Sequence, residues 1–399
     1  MTPPTRAAEE ETPTHVAPAL DAVGFRLPPG RGDATHVALP SAASARLVLP
    51  LAHPEAAAAV LRRLGGPGRT ARARTRATVV RTAAAVVARF GFPPAVGTRL
   101  TLARDPASLA AQLTTTLAGR GELILACRTG PPRPNAKPVL QMLSADGQIH
   151  AFVKVGVNEL TSTLVRAEAD ALAHMARLNL PGISVPVVRE VLTVAERPVV
   201  VTEPLETADR DIDPSQRVAA LQAFARAPGT RTAPLADSTW AAGLSDCGAT
   251  TTNGPLRDVI RRFIPIMGAT PVTLGLVHGD FTPWNIAASA DGIAIWDWER
   301  MMLDAPLGLD ALHFELERSR NQKSPWATQL DGAARRIQDE GTLPGEPAVL
   351  VTCYLMDQAV RHLGADVPLT DQHQAHLDEV LTELGRRLDS RAAHRGRHA

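Results

Sequence analysis

Three oxygen-bearing side chains near the two-thirds point of the chain have types and spacing that could hold a metal ion and orient a nucleophile. The stretch L-V-H-G-D-F-T-P-W-N-I, residues 276–286, contains Asp280 and Asn285, and the later stretch I-A-I-W-D-W-E contains Asp297. Carboxylate and carboxamide oxygens are good ligands for Mg²⁺, and a carboxylate can accept the proton of a hydroxyl group. The same residues could also form a turn followed by an ordinary strand end, so the surrounding elements must decide.

Those elements predict that the three side chains lie close together. The turn S-A-D-G at 289–292 separates two short apolar runs, and a hairpin there would bring Asn285 and Asp297 together, with Asp280 across from both. Asp280 would then accept the hydroxyl proton, while Asn285 and Asp297 would hold Mg²⁺, an arrangement described for protein kinases. His278 is predicted to support the loop through hydrogen bonds, with direct participation in catalysis as the alternative.

A lysine and a glutamate upstream could form an ion pair. Lys154 lies in A-F-V-K-V within a predicted strand, and Glu168 lies on the following helix. Glu168 shares one helical face with Leu164, Leu172 and Met175, and a desolvated carboxylate there is costly unless it is paired. Pairing with Lys154 could direct the ammonium group toward the phosphates of a nucleotide. Alternatively, Glu168 lies at the edge of the apolar stripe and Lys154 extends its charge into water.

The elements that carry these residues predict an α+β fold with two lobes. The first lobe would contain an antiparallel sheet with strands at 122–128, 137–143, 148–155, 185–194 and 198–203, and a helix at about 160–178. Helical periodicity dominates beyond about 214. Directly before the 276–286 stretch, one helical face is formed by Leu256, Val259, Ile260, Phe263, Ile264 and Met267.

We predict five segments along the chain. They are a disordered tail at 1–18, an N-terminal extension packed on the first lobe at 19–119, the first lobe at 120–204, the helical lobe at 205–388 and a basic tail at 389–399. Within the extension the patterns predict an apolar run at 45–51, helical stretches at 55–64 and 76–89, a basic loop at 65–76 and a helix that begins at Asp105-Pro106.

Composition argues against several classes of function. A net charge of +1 creates no strong field for nucleic acid or an anionic membrane, and no uninterrupted apolar run is long enough to span a bilayer. The three cysteines show no metal-ligand or disulfide spacing, and the acidic N-terminus is unlike a secretory signal. We therefore expect a cytoplasmic enzyme.

The motif H-G-D-F-T-P-W-N followed by I-W-D-W-E resembles the aminoglycoside phosphotransferase and choline kinase-like family, which has a protein-kinase-like fold. The resemblance covers roughly residues 120–385. It implies that Asp280 is the catalytic aspartate and that Lys154 and Glu168 anchor phosphate. It also implies that Asp310 is a structural aspartate.

The same resemblance implies ATP or GTP as phosphate donor, Mg²⁺ as cofactor and a small hydroxylated molecule as acceptor. The nucleotide would lie between the lobes and meet the hinge near Glu203 to Leu205, and Arg128 would approach its phosphates. Carboxylates that could bind a cationic acceptor are Asp304, Glu315, Glu317, Asp331 and Asp357, although a solvated helical face also explains them.

Two features depart from the family pattern. The loop that should cover the phosphates, R-T-G-P-P-R-P-N-A-K at 128–137, contains one glycine and three prolines, so side chains such as Arg128, Arg133 or Lys137 would have to meet phosphate. The extension of about 100 residues is not explained by the motif.

Gly279 stands where protein kinases place an arginine that pairs with an activation-loop phosphate. The segment from Asp297 to Pro306 is also too short for a peptide platform. The resemblance therefore implies a small-molecule kinase that needs no activating phosphorylation, and a protein kinase is the weaker alternative.

A nucleotide-binding pseudokinase that acts as an interaction module is the principal alternative. The unusual loop and the long extension favour it, whereas the complete set of Asp280, Asn285 and Asp297 argues against it. A nucleic-acid role would rest only on the arginine-rich stretch at 69–76 and the basic C-terminus, and the near-neutral charge makes it weak.

Overall fold

The computed structural model describes residues 16–64, 71–103, 105, 108–116, 123–129, 135–319, 326–339, 345–363 and 371–395. The chain forms two compact units, which divide at Ser162/Thr163, at Val188/Arg189 and at Pro204/Leu205. Unit 1 contains the residues up to Ser162 and Arg189–Pro204, and unit 2 contains Thr163–Val188 and the residues from Leu205 onward. The α+β class expected from the sequence is confirmed.

Unit 1 is built on one nine-stranded sheet. Its strands are β1 (Phe25–Arg26), β2 (His36–Leu39), β3 (Leu47–Pro50), β4 (Thr98–Leu102), β5 (Ile124–Arg128), β6 (Val139–Leu143), β7 (Ile149–Val155), β9 (Val188–Val194) and β10 (Arg197–Thr202). They lie in the order β1-β4-β2-β3-β5-β6-β7-β10-β9. The pairs from β1–β4 through β7–β10 are antiparallel.

Both faces of this sheet are covered. The helices of unit 1 are α1 (Pro18–Asp21), α2 (Pro54–Leu64), α3 (Ala71–Phe90) and α4 (Leu109–Thr116). One apolar cluster joins a sheet face to α1 and α4, and a second joins the opposite face to α2 and α3. Strand β7 alternates accordingly, with Val153 and Val155 buried in the first cluster and Lys154 half-buried on the other side.

The extension predicted at 19–119 is joined to the rest of unit 1 through the sheet. It supplies strands β1 to β4, and β3 pairs with β5 at Leu47↔Arg128 and Val48↔Cys127. An unpaired edge of β5 would expose backbone donors and acceptors, and pairing with β3 satisfies them. The extension thus continues the sheet of the predicted first lobe.

Unit 2 is mainly helical. It begins within α5 (Glu159–Leu178) and contains β8 (Ile183–Ser184), α6 (Pro214–Arg226), β11 (Arg231–Pro234), α7 (Thr239–Thr250), α8 (Gly254–Met267), β12 (Pro271–Val277), β13 (Ile286–Ala288), β14 (Ile293–Ile295), β15 (Met302–Pro306), α9 (Leu309–Ser319), α10 (Trp326–Asp339), α11 (Pro347–Leu363) and α12 (Asp371–Arg395). Its two small sheets have the orders β11-β12-β15 and β13-β14-β8.

A large apolar cluster joins helices α7 to α12, and the predicted inward face of α8 contributes five buried residues to it. A second cluster contains Phe224, Phe281 and Trp298 and lies beneath the 276–286 stretch. Helix α5 packs into this second cluster through Ala171, Leu172 and Met175. For that reason α5 belongs to unit 2 from Thr163 onward, whereas the sequence placed it in the first lobe.

Three further expectations are corrected. The segment at 71–76 is the start of helix α3, not part of a basic loop, and α12 runs to Arg395, so 389–395 is not a tail. Helix α4 begins at Leu109 after a capping bond from Ala111 N–H to Ser108 Oγ, not at Asp105-Pro106. Of the predicted disordered tail at 1–18, residues 1–15 lie outside the described residues and Pro18 begins helix α1. The loop residues 65–70 and the final residues 396–399 also lie outside the described residues. No helix in the described part of the chain is long and apolar enough to cross a membrane.

Candidate active site

The loop after strand β12 is held in place by Asp310. The backbone N–H of His278 donates to Asp310 Oδ2 at 2.6 Å, and that of Gly279 donates to Oδ1 at 2.9 Å. Asp310 is 5% exposed at the start of α9, and burial raises its pKa to about 7 against the effect of these two donors. One carboxylate therefore fixes the two residues that precede Asp280.

Only glycine fits at position 279. Its φ is +83°, and a Cβ added there would overlap the carbonyl oxygen of Arg300. The carbonyl oxygen of Gly279 also accepts a hydrogen bond from Arg361 Nη2. The absence of a side chain at this position is therefore required by the close approach of the Arg300 backbone.

His278 supports the loop and has no nitrogen available for substrate. It is completely buried; its Nδ1 accepts from the backbone N–H of Asp280 at 3.1 Å, and its Nε2 donates to the carbonyl oxygen of Trp296 at 3.0 Å. Burial is the main reason that the pKa of His278 falls to about 4. The neutral ring thus connects the backbone of Asp280 to the strand end that precedes Asp297, which favours the supporting role over direct catalysis.

Asn285 binds Asp280 directly. Its Nδ2 lies 2.9 Å from the backbone carbonyl oxygen of Asp280 and 2.9 Å from Asp280 Oδ2, and the side chain is 3% exposed. Both hydrogen bonds use the amide nitrogen. The amide oxygen therefore remains the atom that Asn285 can offer to a metal.

The predicted hairpin brings Asp297 to the same end of the fold. Strands β13 and β14 pair antiparallel with Ile286 opposite Ile295, and the N–H of Trp296 donates to the carbonyl oxygen of Asn285 at 3.1 Å. Asp297 follows with φ +64°, a left-handed conformation that is uncommon for residues other than glycine. Its charge raises the pKa of His278, which shows that the carboxylate lies near the loop.

The side chains of His313 and Arg361 contact the second oxygen of Asp280. His313 Nε2 lies 3.3 Å from Asp280 Oδ1, and Arg361 Nη1 lies 3.4 Å from the same atom. Because a carboxylate oxygen can only accept, Nε2 of His313 must carry the hydrogen, and Nδ1 lies 3.0 Å from the hydroxyl of Tyr354. Asp357 Oδ2 in turn accepts from Arg361 Nη2 at 2.9 Å.

These contacts keep Asp280 ionised. Burial alone would raise its pKa, but the hydrogen bond from His313 and the charge of Arg361 outweigh burial and hold the pKa well below its usual range. The side chain is 33% exposed, so it is accessible from solvent. Sequence reasoning did not identify His313, Arg361 or Tyr354.

The predicted nucleotide-binding residues of unit 1 are found at several places on its sheet. Lys154 is on β7, Arg128 is the exposed last residue of β5, and Glu203 directly follows β10. Glu203 accepts a hydrogen bond from Arg189 Nε at 2.7 Å. In the 128–137 loop, residues 130–134 with Arg133 lie outside the described part of the chain.

The corresponding residues of unit 2 are Glu168 and Leu205. Glu168 is 1% exposed on α5, so it lies within the apolar stripe and not at its edge. Leu205 is the first residue of unit 2 after the boundary. The pairing of Glu168 with Lys154 and the contact of these residues with a nucleotide stay predictions.

The donor set fits a Mg²⁺ ion that is held mainly by phosphate and water. Among the described residues no group of three or more His, Cys, Asp or Glu has metal-holding geometry. Asn285 and Asp297 would supply one amide oxygen and one carboxylate, and Mg²⁺ commonly binds one or two carboxylates together with substrate phosphates. A set this small suits an ion that arrives with a nucleotide better than a permanent metal centre.

Comparison with known proteins gives matches among solved structures. No protein-family model and no curated protein matches the chain. A thermostable mutant of aminoglycoside phosphotransferase APH(4)-Ia is 13% identical with a TM-score of 0.45, and the match covers 70% of this chain and 97% of that one.

Two other matches have similar values. The enzyme APH(3'')-Id from Streptomyces rimosus, solved with ADP and streptomycin, is 17% identical with a TM-score of 0.40 over 63% of this chain and 97% of that one. A choline/ethanolamine kinase family protein from Mesorhizobium loti is 17% identical with a TM-score of 0.39 over 70% and 97%.

Proposed function

We propose that this protein is a small-molecule kinase that transfers the γ-phosphoryl group of ATP or GTP to a hydroxyl group of a small acceptor. The proposal rests chiefly on the hydrogen bond between Asn285 and the carboxylate of Asp280, beside a hairpin that carries Asp297. A base and two metal-binding oxygens with this connectivity are the recurring parts of kinase-like phosphoryl transfer.

Asp280 would orient the acceptor and receive its proton. With a pKa held below its usual range, the carboxylate is a weak base but a good hydrogen-bond acceptor. In a loose transition state the acceptor oxygen becomes acidic only as its bond to phosphorus forms. We therefore expect positioning to precede proton transfer at Asp280.

The proposed transfer exchanges one oxygen bond of the γ-phosphorus for another. A bond forms between the acceptor oxygen and the γ-phosphorus, and the bond from that phosphorus to the β,γ-bridging oxygen breaks. The acceptor proton passes to Asp280, and the nucleoside diphosphate leaves with the bond's electron pair. Mg²⁺, held by Asn285 and Asp297, would neutralise charge on the phosphates.

The remaining parts of the site are also proposals. Lys154 and Glu168 would anchor phosphate, Arg128 would approach it from β5, and the backbone near Glu203 and Leu205 would meet the nucleotide base. We place the reaction in the cytoplasm, because Cys127, Cys247 and Cys353 are free thiols, in keeping with a reducing compartment.

The role of Asp297 can be tested by metal dependence. Asp297→Asn removes the charge with a residue type that tolerates a left-handed φ, so the backbone should be retained. We expect the apparent affinity for Mg²⁺ in the presence of ATP to fall about 10-fold or more, because charge-assisted contacts are worth ~1.5–3 kcal/mol. Isothermal titration at several Mg²⁺ concentrations measures this.

Asp291→Asn is the matched control, since Asp291 is exposed in the turn of the same hairpin. Equal Mg²⁺ dependence in both variants would contradict the assignment of Asp297. Tight nucleotide binding by the unmodified protein, without transfer to any hydroxyl compound or to water, would favour the interaction-module alternative.

A further inference from the structure

Arg300 lies immediately beside the loop that carries Asp280. It follows the D-W-E stretch, and its carbonyl oxygen is the atom that excludes a side chain at Gly279. Its Cβ lies only 2.8 Å from the position that a Cβ on Gly279 would occupy. The side chain of Arg300 therefore begins close to Gly279, the residue that precedes the proposed catalytic aspartate.

The guanidinium of Arg300 has no bonded anion in the described part of the chain. It interacts electrostatically with Arg361, Glu299, Asp280 and Asp357, but no residue that the structure describes forms a hydrogen bond or ion pair with it. Burial, followed by the like charge of Arg361, lowers the pKa of Arg300 from its ordinary value. No nitrogen of Arg300 is among the buried, unbonded polar atoms of the described residues, so its five donors reach solvent and can bind an anionic ligand.

Other partly buried arginines of unit 2 are matched to carboxylates. Arg217 binds Glu315 at 2.8 Å, Arg361 binds Asp357 at 2.9 Å and Arg387 binds Glu383 at 2.8 Å. Arg300 therefore differs from them in its bonding, although its burial is similar. This contrast identifies it as a site for an anion.

The acidic residues that might attract a cationic acceptor are already neutralised. Glu315 binds Arg217 and Arg318, Asp304 binds Arg231, Asp331 binds Arg387 and Asp357 binds Arg361. Four of the five carboxylates named from the sequence thus have arginine partners. This pairing weakens the case for a polycationic acceptor.

We propose that Arg300 binds a carboxylate or phosphate group of the acceptor, so that the substrate class is anionic hydroxy compounds. The inference rests on the proposed kinase function. Arg300 is placed on the acceptor side because, besides its neighbour Glu299, the groups that chiefly act on it are Asp280 and two residues of α11, with neither Asn285 nor Asp297 among them. A planar guanidinium can bind either oxyanion with two parallel hydrogen bonds.

The test uses the full chain with saturating Mg-ATP and three sets of hydroxyl compounds. The anionic set is glycerate and glycerol 3-phosphate, the neutral set is glycerol and glucose, and the cationic set is choline and kanamycin. Transfer is followed by coupled release of ADP, and binding by the shift in Tm in the presence of Mg-ADP. We expect phosphoryl transfer to at least one anionic compound and a higher Tm in its presence. Whether the preferred compound is a carboxylate or a phosphate shows which oxyanion Arg300 binds.

Arg300→Gln should then raise KM for that acceptor about 10-fold or more through loss of a charge-assisted contact. The KM for Mg-ATP should change by less than about 3-fold, which corresponds to less than ~0.7 kcal/mol. Arg300→Lys, which keeps the charge without the planar fork, should give an intermediate KM for the acceptor.

Arg261→Gln, at an exposed arginine of α8, is the control for loss of a positive charge. A Tm close to that of the unmodified protein would confirm folding, because the change removes the repulsion with Arg361 together with the attraction to nearby carboxylates.

Three results would overturn the inference. The first is preference for neutral or cationic acceptors with an unchanged KM in Arg300→Gln. The second is a loss of kcat with every acceptor, including water, without a change in acceptor KM, which would assign Arg300 to the transferred phosphoryl group. The third is no Tm shift with any anionic compound although Mg-ADP stabilises the protein. Failure of the kinase proposal itself differs from all three, since neither Mg-ADP stabilisation nor ADP release would then occur.

Discussion

Asp280 is bound by residues that no local pattern connects to it. Asn285 lies five residues away and was predicted from the motif, but His313 and Arg361 follow 33 and 81 residues after Asp280 on α9 and α11. Their contacts depend on how these helices pack, which residue spacing does not specify. The motif thus predicts the proposed catalytic group, whereas the charges that set its pKa require the structure.

Two histidines are buried in neutral form for the same physical reason. His278 and His36 each use both ring nitrogens inside the protein; in His36, Nδ1 lies 2.8 Å from the hydroxyl of Thr35 and Nε2 lies 3.0 Å from the carbonyl oxygen of Leu125. Burial, the largest cause, lowers the pKa of His36 to about 4. Because His36 lies in unit 1, away from the 276–286 stretch in the sequence, its effect on stability can be measured alone.

We predict that His36 makes the protein less stable in acid. The unfolded chain binds a proton near pH 6.5, whereas the folded chain binds it only near pH 4, so the unfolded state takes up more protons between these values. The stability is present above pH 6.5 and is lost as pH falls toward 4. Between pH 7.5 and pH 5 the loss from this one residue should be about 2 kcal/mol.

Urea unfolding of the unmodified protein and His36→Gln at several pH values measures this difference. The variant should be less stable at pH 7.5, where it loses packing and hydrogen bonds, and the gap between the two proteins should shrink as pH falls. A gap that stays constant from pH 7.5 to pH 5 would show that His36 does not titrate in this way.

The hairpin β13–β14 is the element that joins the two proposed metal ligands. Its turn was predicted because S-A-D-G separates two short apolar runs, and the observed antiparallel register confirms the hairpin. Its parallel partner β8 was not predicted, because two residues, Ile183 and Ser184, carry no recognisable strand pattern. Gly292 and Gly182 permit this pairing, since a Cβ at Gly292 would overlap the carbonyl oxygen of Gly182.

Gly292→Ala should therefore destabilise the hairpin. Relief of the overlap requires the β8 backbone to move, and overpacking of this kind costs roughly 1–3 kcal/mol. Because Asn285 and Asp297 flank the hairpin, the apparent Mg²⁺ affinity in the presence of ATP should fall as well. Thermal unfolding and metal titration measure the two effects.

Gly243→Ala provides a control of opposite sign. Gly243 lies inside α7, where an added Cβ meets no atom within 4 Å, so alanine should stabilise the protein by about 0.5–1 kcal/mol. Equal stability of the two variants would contradict the assigned backbone contact between Gly292 and Gly182.

At the scale of the whole molecule, the sequence predicts the strand and helix types better than their grouping. Strands β5, β6, β7, β9 and β10 and helix α8 agree with their patterns, and the unit boundary at Pro204/Leu205 agrees with the predicted hinge. The pairing of β3 with β5 and the packing of α5 into unit 2 were not predicted. Both depend on contacts between distant segments, which the periodicity of a single segment cannot specify.

The motifs predict the proposed catalytic and metal-binding residues but not the proposed acceptor site. Asp280, Asn285 and Asp297 follow the family pattern and their hydrogen bonds and hairpin agree with it. The proposed acceptor site has no such motif, because the residues assigned to it lie on α9, on α11 and directly after D-W-E. The proposed substrate class therefore rests on charge pairing in the folded chain.

The most direct test of the central claim is transfer of the γ-phosphoryl group by the unmodified protein and by Asp280→Asn, followed by ³¹P NMR with Mg-ATP or Mg-GTP and the same hydroxyl compounds. We predict a phosphorylated acceptor with the unmodified protein and with the control Asp258→Asn, whose side chain is exposed on α8. In Asp280→Asn the kcat should fall about 10²–10⁴-fold while Mg-nucleotide affinity is retained. Transfer by Asp280→Asn at the rate of the unmodified protein would contradict the account.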